Sequence, residues 1–374
     1  MRKRRLLLLA LAAVLLAGCI ATPPGSSVPP VSSPAPTPTP TPAAQAAVTP
    51  SDGLTLVAVI EEQELLARLG SPEDSWFKPP VFVTDDRLLL PLLLPDGGSE
   101  WYLYEPKTDA LTLLARLPGQ CPTIPAAWME GEQIRVVSDV GAFTLDPAGQ
   151  PVELSGLDSD WTLRGNPVTG EVYRCQSGQL IAAAPDGSET VRYTWPGKEV
   201  LSAVAVSPDG GKLFFGIIPY ESINNVVVLD LATGAAEVTP MKAAYPWYCW
   251  LGDQPCLVTV DEAQGGLLLR YGEDLASSFL WQFPQPDGWR NAQVSGCADG
   301  QMLLIFSYPV GEEEWRDTLT LLGWDGTAVT ERALLETDGL ICGTALSQDA
   351  GRLAILLRDG VGLPPRLLLY TIDG

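Results

Sequence analysis

The chain of 374 residues is acidic, with a formal net charge of −22, and it contains no histidine. Such a surface repels phosphate backbones, so we expect no nucleic-acid partner. Without histidine the chain lacks the commonest general base, the commonest metal ligand and every Ser-His or Cys-His nucleophile. Apolar residues make up 46% and charged residues 18%, which indicates a large folded core rather than a disordered chain.

The first nineteen residues have the features of an export signal. Four positive charges lie in residues 2–5, and residues 6–16 form an apolar run of signal-peptide length. The run ends in Leu16-Ala17-Gly18-Cys19, which resembles the lipobox of bacterial lipoproteins. The resemblance implies removal of residues 1–18 as a signal peptide and attachment of a diacylglyceryl group, with acyl chains such as palmitate, at Cys19. An ordinary secretory signal with a chance cysteine is the alternative.

A linker follows the predicted lipidation site. Residues 19–50 are rich in Pro, Thr and Ser, and prolines alternate with threonines at 36–42. Alternating prolines favour polyproline II, so the segment is expected to be a semi-rigid spacer of up to ~90 Å, at about 3.1 Å per residue. We therefore expect a protein of the cell envelope, anchored by lipid to the outer face of the cytoplasmic membrane or to the outer membrane.

Residues 51–374 contain a repeated pattern of short apolar runs and turns. The clearest copy, Ser-Pro-Asp-Gly-Gly-Lys-Leu-Phe-Phe at 207–215, is typical of a tight turn between two strands. Two further strands follow, and four antiparallel strands in about 40 residues are typical of one propeller blade. Weaker copies of the turn begin at Thr84, Glu130, Val168, Leu251, Cys297 and Ser347. Seven turns predict an all-β fold, a single β-propeller of seven four-stranded blades; six or eight blades stay open.

The clear copies resemble the repeats of TolB-like, WD-type propellers. The resemblance implies the fold and little about function, because such propellers serve as binding platforms, substrate filters and enzymes. The last repeat has only three strands, and the apolar run at 54–60 has no assigned place. We predict that this N-terminal run supplies the fourth strand and closes the ring, which removes two exposed sheet edges. Residues 61–69 fit a short helix or another strand.

Six cysteines remain after Cys19, an even number that favours disulfides in an exported protein. Cys249 and Cys256 flank a predicted hairpin turn, with Trp250 opposite Pro255, and we predict a disulfide between them. Two buried free thiols are the alternative. No metal site is predicted, because the chain has neither histidine nor a Cys-x-x-Cys pair.

Two groups of residues are candidates for a binding face. The first is aromatic, and its members either stack on a sugar or peptide or pack between blades. The second is a run of three acids beside a tryptophan and an arginine, suited to a cation or a basic peptide, or simply a solvated charge run. The aromatic group is Trp247, Tyr248, Trp250 and Trp289, and the second group is Glu312, Glu313, Glu314, Trp315 and Arg316.

No phosphate loop, dinucleotide fingerprint or nucleophile elbow occurs in the chain, so no catalytic residue and no cofactor are predicted. The leading hypothesis is a lipid-anchored, monomeric propeller that binds or scaffolds an envelope protein, peptide or glycan. An enzyme that acts on glycans or peptides through carboxylates is the second hypothesis. An inert structural propeller is the third.

Overall fold

The computed structural model describes the residues that carry the repeated pattern and the end of the predicted linker. It covers residues 47–374 except 73, 120–122, 125, 140, 149–151, 154–163, 177, 198–199, 202–203, 219–221, 245–246, 262–265, 272–279, 283–290, 310–314, 361–362 and 374. The predicted signal peptide and lipobox, and almost all of the linker, lie outside these residues.

The described residues form 31 strands and one helix, α1, at Glu62–Leu69. The strands, in chain order, are β1 Val48–Pro50, β2 Leu54–Glu61, β3 Trp76–Phe77, β4 Val81–Thr84, β5 Arg87–Leu93, β6 Ser99–Glu105, β7 Ala110–Leu117, β8 Ala126–Glu130, β9 Gln133–Ser138, β10 Gly141–Leu145, β11 Val152–Glu153, β12 Arg164–Gly165, β13 Val172–Gln176, β14 Gln179–Ala183, β15 Glu189–Thr194, β16 Val200–Leu201, β17 Ala205–Val206, β18 Lys212–Ile218, β19 Ser222–Asp230, β20 Ala236–Ala244, β21 Trp247–Leu251, β22 Gln254–Asp261, β23 Gly266–Tyr271, β24 Leu280–Gln282, β25 Asn291–Ala298, β26 Gln301–Pro309, β27 Trp315–Trp324, β28 Val329–Thr337, β29 Leu340–Leu346, β30 Arg352–Arg358 and β31 Pro365–Ile372.

These strands form seven sheets, which we number along the chain. Sheet 1 contains β3 to β7 and β11, sheet 2 contains β8 to β10, sheet 3 contains β12 to β15, and sheet 4 contains β16 to β20. Sheet 5 contains β21 to β24, sheet 6 contains β25 to β28 with β1, and sheet 7 contains β29 to β31 with β2. Hairpin strands pair antiparallel, as the repeated pattern predicts, for example β18 with β19, β22 with β23, β26 with β27 and β30 with β31.

The sheets close into a ring. The innermost strands contact one another in the order β4, β8, β12, β17, β21, β25 and β29, and β29 contacts β4. Buried apolar clusters fill the space between successive sheets, including the space between sheet 7 and sheet 1. The fold is therefore an all-β propeller, as the sequence predicts.

The sequence predicts seven four-stranded blades, but only six sheets have four or more strands, so the described residues show six complete blades rather than seven. Sheet 2 has only three strands among the described residues, and the short β11 that follows them pairs in parallel with β7 of sheet 1. Sequence repetition predicts hairpins. The pairing of β11 with sheet 1 depends instead on which sheet edge lies beside the chain in the folded protein.

The turn at 207–211 has the predicted geometry. Asp209 accepts hydrogen bonds from the Ser207 hydroxyl at 2.6 Å and from the Gly211 amide at 2.9 Å. Gly210 has a positive φ of 71°, which glycine adopts without strain. The turn at 347–351 repeats both bonds through Ser347, Asp349 and Gly351, so the repeated sequence encodes a repeated turn.

These turns also join neighbouring sheets. The buried Asn166 side chain donates to the Gly210 carbonyl at 2.9 Å, which links sheet 3 to sheet 4. Between sheets 5 and 6, the Gly252 amide donates to the Gly300 carbonyl at 2.7 Å. Between sheets 1 and 7, Asp85 accepts from the Asp349 amide, and the two carboxyl groups also share a hydrogen bond. Burial and the Asp349 charge raise the pKa of Asp85, whereas hydrogen bonding with Ser347 lowers the pKa of Asp349. A proton shared by the two carboxyl groups therefore resides on Asp85.

The N-terminal strand closes the ring as predicted. β2 pairs antiparallel with β31 along its whole length, from Leu54 opposite Ile372 to Glu61 opposite Arg366. Before it, β1 adds a fifth strand to the outer edge of β28 in sheet 6, so the folded body also includes the last residues of the predicted linker. The stretch after β2 is helical, and α1 ends at Gly70 in the left-handed conformation with φ 63°. The one helix among the described residues lacks the length and apolar character needed to cross a membrane.

The junction between sheets 7 and 1 depends on a close backbone approach. A Cβ placed on Gly343 would lie 2.6 Å from Cβ and Cγ of Pro79, closer than packed carbon atoms allow. We expect Gly343→Ala to destabilise the fold by about 1–3 kcal/mol through overpacking, measured by urea unfolding. Gly296→Ala is the matched control, because Gly296 also follows a bulge on an inner strand but has open space around its Cβ position. Equal losses in the two variants would contradict the close-contact explanation.

Candidate functional site

The two faces of the propeller differ in their connections. The tight turns at 207–211 and 347–351 lie on one face, here called the turn face. The opposite face, here called the loop face, is where β2, β26 and β30 end and where β27, β29 and β31 begin. The longer connections lie there, and such connections commonly carry binding residues.

The structure places the predicted aromatic group between sheets. Trp250 is buried, donates from Nε1 to the Ala205 carbonyl at 3.2 Å and packs edge-on against Phe214. Tyr248 packs on the same Phe214, with ring centroids 5.3 Å apart. Trp247 is half-buried and packs against the apolar cluster between sheets 5 and 6. This matches the alternative of packing between blades, because the inner strand of a blade must fill the junction with its neighbour.

The second predicted group lies largely outside the described residues, because Glu312, Glu313 and Glu314 are not among them. Trp289 of the first group also lies outside the described residues. Trp315 begins β27. Arg316 is held by two acids of its own sheet: Nε donates to Asp338 at 2.9 Å and Nη1 donates to Glu336 at 2.5 Å. Its charge therefore braces the loop-face end of sheet 6.

The predicted Cys249–Cys256 disulfide is wrong, although its register is right. The two cysteines lie opposite each other, and Trp250 lies opposite Pro255, as predicted. Both thiols are free and buried. The Cys249 sulfur points toward sheet 6 and lies 3.2 Å from the Met302 sulfur, while the Cys256 thiol donates to the Gln254 carbonyl at 3.4 Å. Hydrogen bonding with Cys256, followed by burial, raises the pKa of Cys249 well above its usual value, which keeps this thiol protonated and unreactive.

A set of buried and half-buried titratable groups lies on the loop face around sheet 7. Glu62, at the start of α1, interacts electrostatically with Arg358 at the end of β30. Arg358 also interacts with the Cys342 thiol of β29, and Cys342 in turn interacts with Asp317 of β27. No sequence motif marks these residues; the ring closure brings them together.

Glu62 anchors the chain at the ring closure. Its side chain is buried, at 5% exposure, and Oε1 accepts a hydrogen bond from the Phe77 amide at 2.7 Å. Desolvation raises the pKa of Glu62 more than the Phe77 hydrogen bond and the Arg358 charge lower it. Beside it is a mostly apolar pocket with room for about one water molecule. The pocket is lined by Ile60, Glu62, Leu65, Phe77, Lys78, Pro80, Leu90, Leu356 and Leu367.

Asp317 has the same role between sheets 6 and 7. The carboxylate is buried, and Oδ2 accepts from the Ile341 amide at 2.7 Å. Burial raises the pKa of Asp317 despite this bond and a second bond from Ser307. Next to Ile341, a β-bulge falls at Cys342, whose thiol pKa is raised by burial. Both acids thus accept hydrogen bonds from backbone amides. These bonds fix strands β3 and β29 and do not present an acid to a substrate.

Exposed apolar side chains flank these buried acids on the loop face. Trp76 is 46% exposed and Leu340 is 50% exposed. Trp76 pairs with Leu93 at the loop-face end of sheet 1, and Leu340 begins the inner strand of sheet 7. The Lys78 ammonium lies 6.0 Å from the Trp76 ring centroid. A buried ion pair between Arg366 and Asp359, 2.9 Å long, fixes the adjoining end of β31. We call Trp76, Lys78 and Leu340 the junction patch.

The junction patch combines an exposed tryptophan, a nearby ammonium group and an exposed aliphatic side chain. Contact surfaces commonly have an exposed tryptophan, a nearby cation and an aliphatic side chain on a backbone that is held rigidly in place. Among the described residues, no three Cys, Asp or Glu side chains are arranged to hold a metal ion. Sequence reasoning missed Trp76 and Leu340 because neither belongs to a cluster along the chain.

Comparison with known proteins gives structural likeness only. No protein-family model and no curated protein sequence matches the chain. A streptogramin B lyase structure is 9% identical, with a TM-score of 0.45, and the match covers 88% of this chain and 98% of that one. A chain of a mitotic checkpoint complex is 13% identical, with a TM-score of 0.49 and coverage of 93% and 99%. The β-propeller domain of Cps50 (Swd1) from Myceliophteria thermophila is 12% identical, with a TM-score of 0.47 and coverage of 79% and 99%. At these values the likenesses say nothing of what this chain binds or catalyses.

The buried Glu62 predicts a pH dependence of stability. Because its pKa is raised in the folded protein, the folded state holds this proton more tightly than the unfolded state. Its contribution to stability is therefore full at low pH and is lost as the pH rises through the raised pKa. Glu62→Gln keeps an acceptor for the Phe77 amide and removes this loss, so the unfolding free energy should fall less between about pH 4 and about pH 7 than in the wild type.

The control is Glu64→Gln, which changes an exposed acid of the same helix. Urea unfolding across the pH range should give this variant the slope of the wild type. A wild-type slope in Glu62→Gln would show that folding does not raise the pKa of Glu62.

Proposed function

We propose that this chain is a lipid-anchored, extracytoplasmic propeller that binds an envelope protein, peptide or glycan through the junction patch. The observation that carries the proposal is the exposure of Trp76 and Leu340 on the loop face. Each directly precedes a residue, Phe77 or Ile341, whose backbone amide donates to a buried carboxylate. Large apolar side chains held on a rigid surface bind with little loss of conformational entropy.

The lipid anchor is the second part of the proposal. It rests on the charged and apolar segments before Leu16-Ala17-Gly18-Cys19, and on the Pro-rich tether that follows. Two acyl chains suffice for stable attachment, so the membrane positions the protein and the propeller is left to recognise a partner. We also propose seven blades, with sheet 2 as the seventh and its short outer strand given up to sheet 1.

The buried acids favour binding over carboxylate catalysis, because their carboxyl groups hold the backbone in place. Glu62 and Asp317 each accept a backbone amide, and the pocket beside Glu62 has room for about one water molecule. A sugar ring or a peptide needs far more space at a pair of catalytic acids.

The anchor is tested by metabolic labelling with an alkyne analogue of palmitate. The wild-type chain should be labelled and should enter the detergent phase on phase separation, whereas Cys19→Ala should lose both properties. Cys342→Ala is the matched control, because it removes a partly buried thiol of the body and leaves the predicted lipidation site intact. Labelling that survives Cys19→Ala would contradict the lipobox assignment.

The junction patch is tested by site-specific photo-crosslinking in intact cells. A benzoylphenylalanine placed at position 76 or 340 should form discrete covalent adducts, because these positions face the partner. The same group at position 168 should form none, since Val168 is 61% exposed but lies on the turn face, next to Gly210. Trp76→Ala should reduce the adducts formed at position 340 by about tenfold, the loss expected for one anchor residue. Adducts at neither loop-face position would favour an inert structural propeller.

A further inference from the structure

Three sulfur atoms come together at the inner edge of the junction between sheets 5 and 6. Cys249 of β21 and Met302 of β26 are buried, and their sulfurs lie 3.2 Å apart. Cys297 of β25 pairs directly with Met302 across sheet 6, and the Cys297 and Cys249 thiols share a hydrogen bond. The three side chains therefore converge, although they come from three strands and two sheets.

The sulfur cluster is accessible from the inside of the ring. β25 is one of the innermost strands, and Cys297 is exposed. Arg164 of β12, the innermost strand of sheet 3, interacts electrostatically with Cys297. Sheets 3 and 6 are not neighbours in the ring, so this interaction crosses the central space that the innermost strands surround. A small ion that enters this space can therefore reach the Cys297 sulfur.

We propose that Cys249, Cys297 and Met302 form a binding site for a soft monovalent metal ion, Cu(I). Thiolate and thioether sulfurs are the soft ligands that select Cu(I). Zn²⁺ fits the set less well, because structural zinc sites take four ligands from Cys, His and acidic side chains. Two thiols do not make a three-ligand set by themselves, and the Met302 thioether completes it. The proposal goes beyond the proposed function and does not depend on it.

A fourth sulfur, that of Cys256, adjoins the set. Cys256 lies opposite Cys249 in the hairpin, and its thiol donates to the Gln254 carbonyl at 3.4 Å. A hydrogen bond also joins the Cys256 and Cys249 thiols. Cys256 is thus placed to orient the Cys249 sulfur rather than to bind the ion, as groups that surround the ligands of metal sites commonly do.

Protons and charge balance when Cu(I) binds. Hydrogen bonding and burial raise the pKa values of the Cys249 and Cys297 thiols, so both are protonated at neutral pH. Each releases its proton to water as its sulfur binds the ion, so binding tightens as the pH rises. Two thiolates and a monovalent ion leave one negative charge, which the Arg164 guanidinium offsets. Copper stays Cu(I) throughout, so the step needs neither an oxidant nor a reductant.

The test is an anaerobic titration of the full chain with Cu(I), in competition with a chromophoric chelator. The wild type should bind about one Cu(I) per chain, and X-ray absorption should show only sulfur ligands. Cys297→Ser should weaken binding by at least about a hundredfold, and the volume-conserving Met302→Leu by about tenfold, because each removes a soft ligand. Cys342→Ser is the matched control, since Cys342 also lies on an innermost strand but interacts with Arg358 and Glu62 at the loop face.

Thermal unfolding gives a second measurement. Cu(I) should raise the unfolding temperature of the wild type and of Cys342→Ser, because a ligand that binds only the folded state stabilises it. It should not raise that of Cys297→Ser, and a cooperative transition without metal establishes that each variant folds. If the serine variant does not fold, Met302→Leu decides the outcome. A wild type without a sulfur-only Cu(I) site, or a Cys297→Ser or Met302→Leu variant that binds Cu(I) as tightly as Cys342→Ser, would overturn the proposal.

Discussion

Closure of the ring is the constraint on which the rest of this structure depends. A propeller is stable only when its last sheet packs against its first, because otherwise two apolar sheet faces remain in water. Here the N-terminal strand β2 completes sheet 7 before the chain enters sheet 1, so pairing of distant segments closes the ring. The contact of Gly343 with Pro79 and the Asp85–Asp349 hydrogen bond complete the junction.

The same junction carries the proposed binding surface, and the two roles are compatible for a physical reason. Glu62 and Asp317 are buried carboxyl groups, and each accepts a hydrogen bond from a backbone amide that it holds in place. Such bonds cannot be exchanged for water without loss of stability, so the strands that carry Trp76 and Leu340 are fixed. A surface of this kind presents its apolar side chains without rearrangement.

Individual residues show how far sequence reasoning reaches. The hairpin register of Cys249 and Cys256 follows from turn spacing, and the structure confirms it. Whether their sulfurs bond depends on where each side chain points, and Cys249 turns toward Met302 of the next sheet. In the same way Trp250 is recognisable as an inner-strand residue, but its burial is decided by Phe214 of the preceding sheet. Glu62 and Asp317 have no local signal, because their partners lie in other elements.

The sequence by itself determined the all-β class, the repeated turn with its Ser, Asp and Gly residues, and the use of an N-terminal strand to complete the last sheet. These features depend on local backbone preferences and on apolar periodicity, which neighbouring residues encode. Only the tertiary structure decided the free thiols, the strand exchange between sheets 1 and 2, the buried acids and the junction patch. Each of these arises where segments far apart in the chain meet, and there packing and desolvation, rather than local preference, select the outcome.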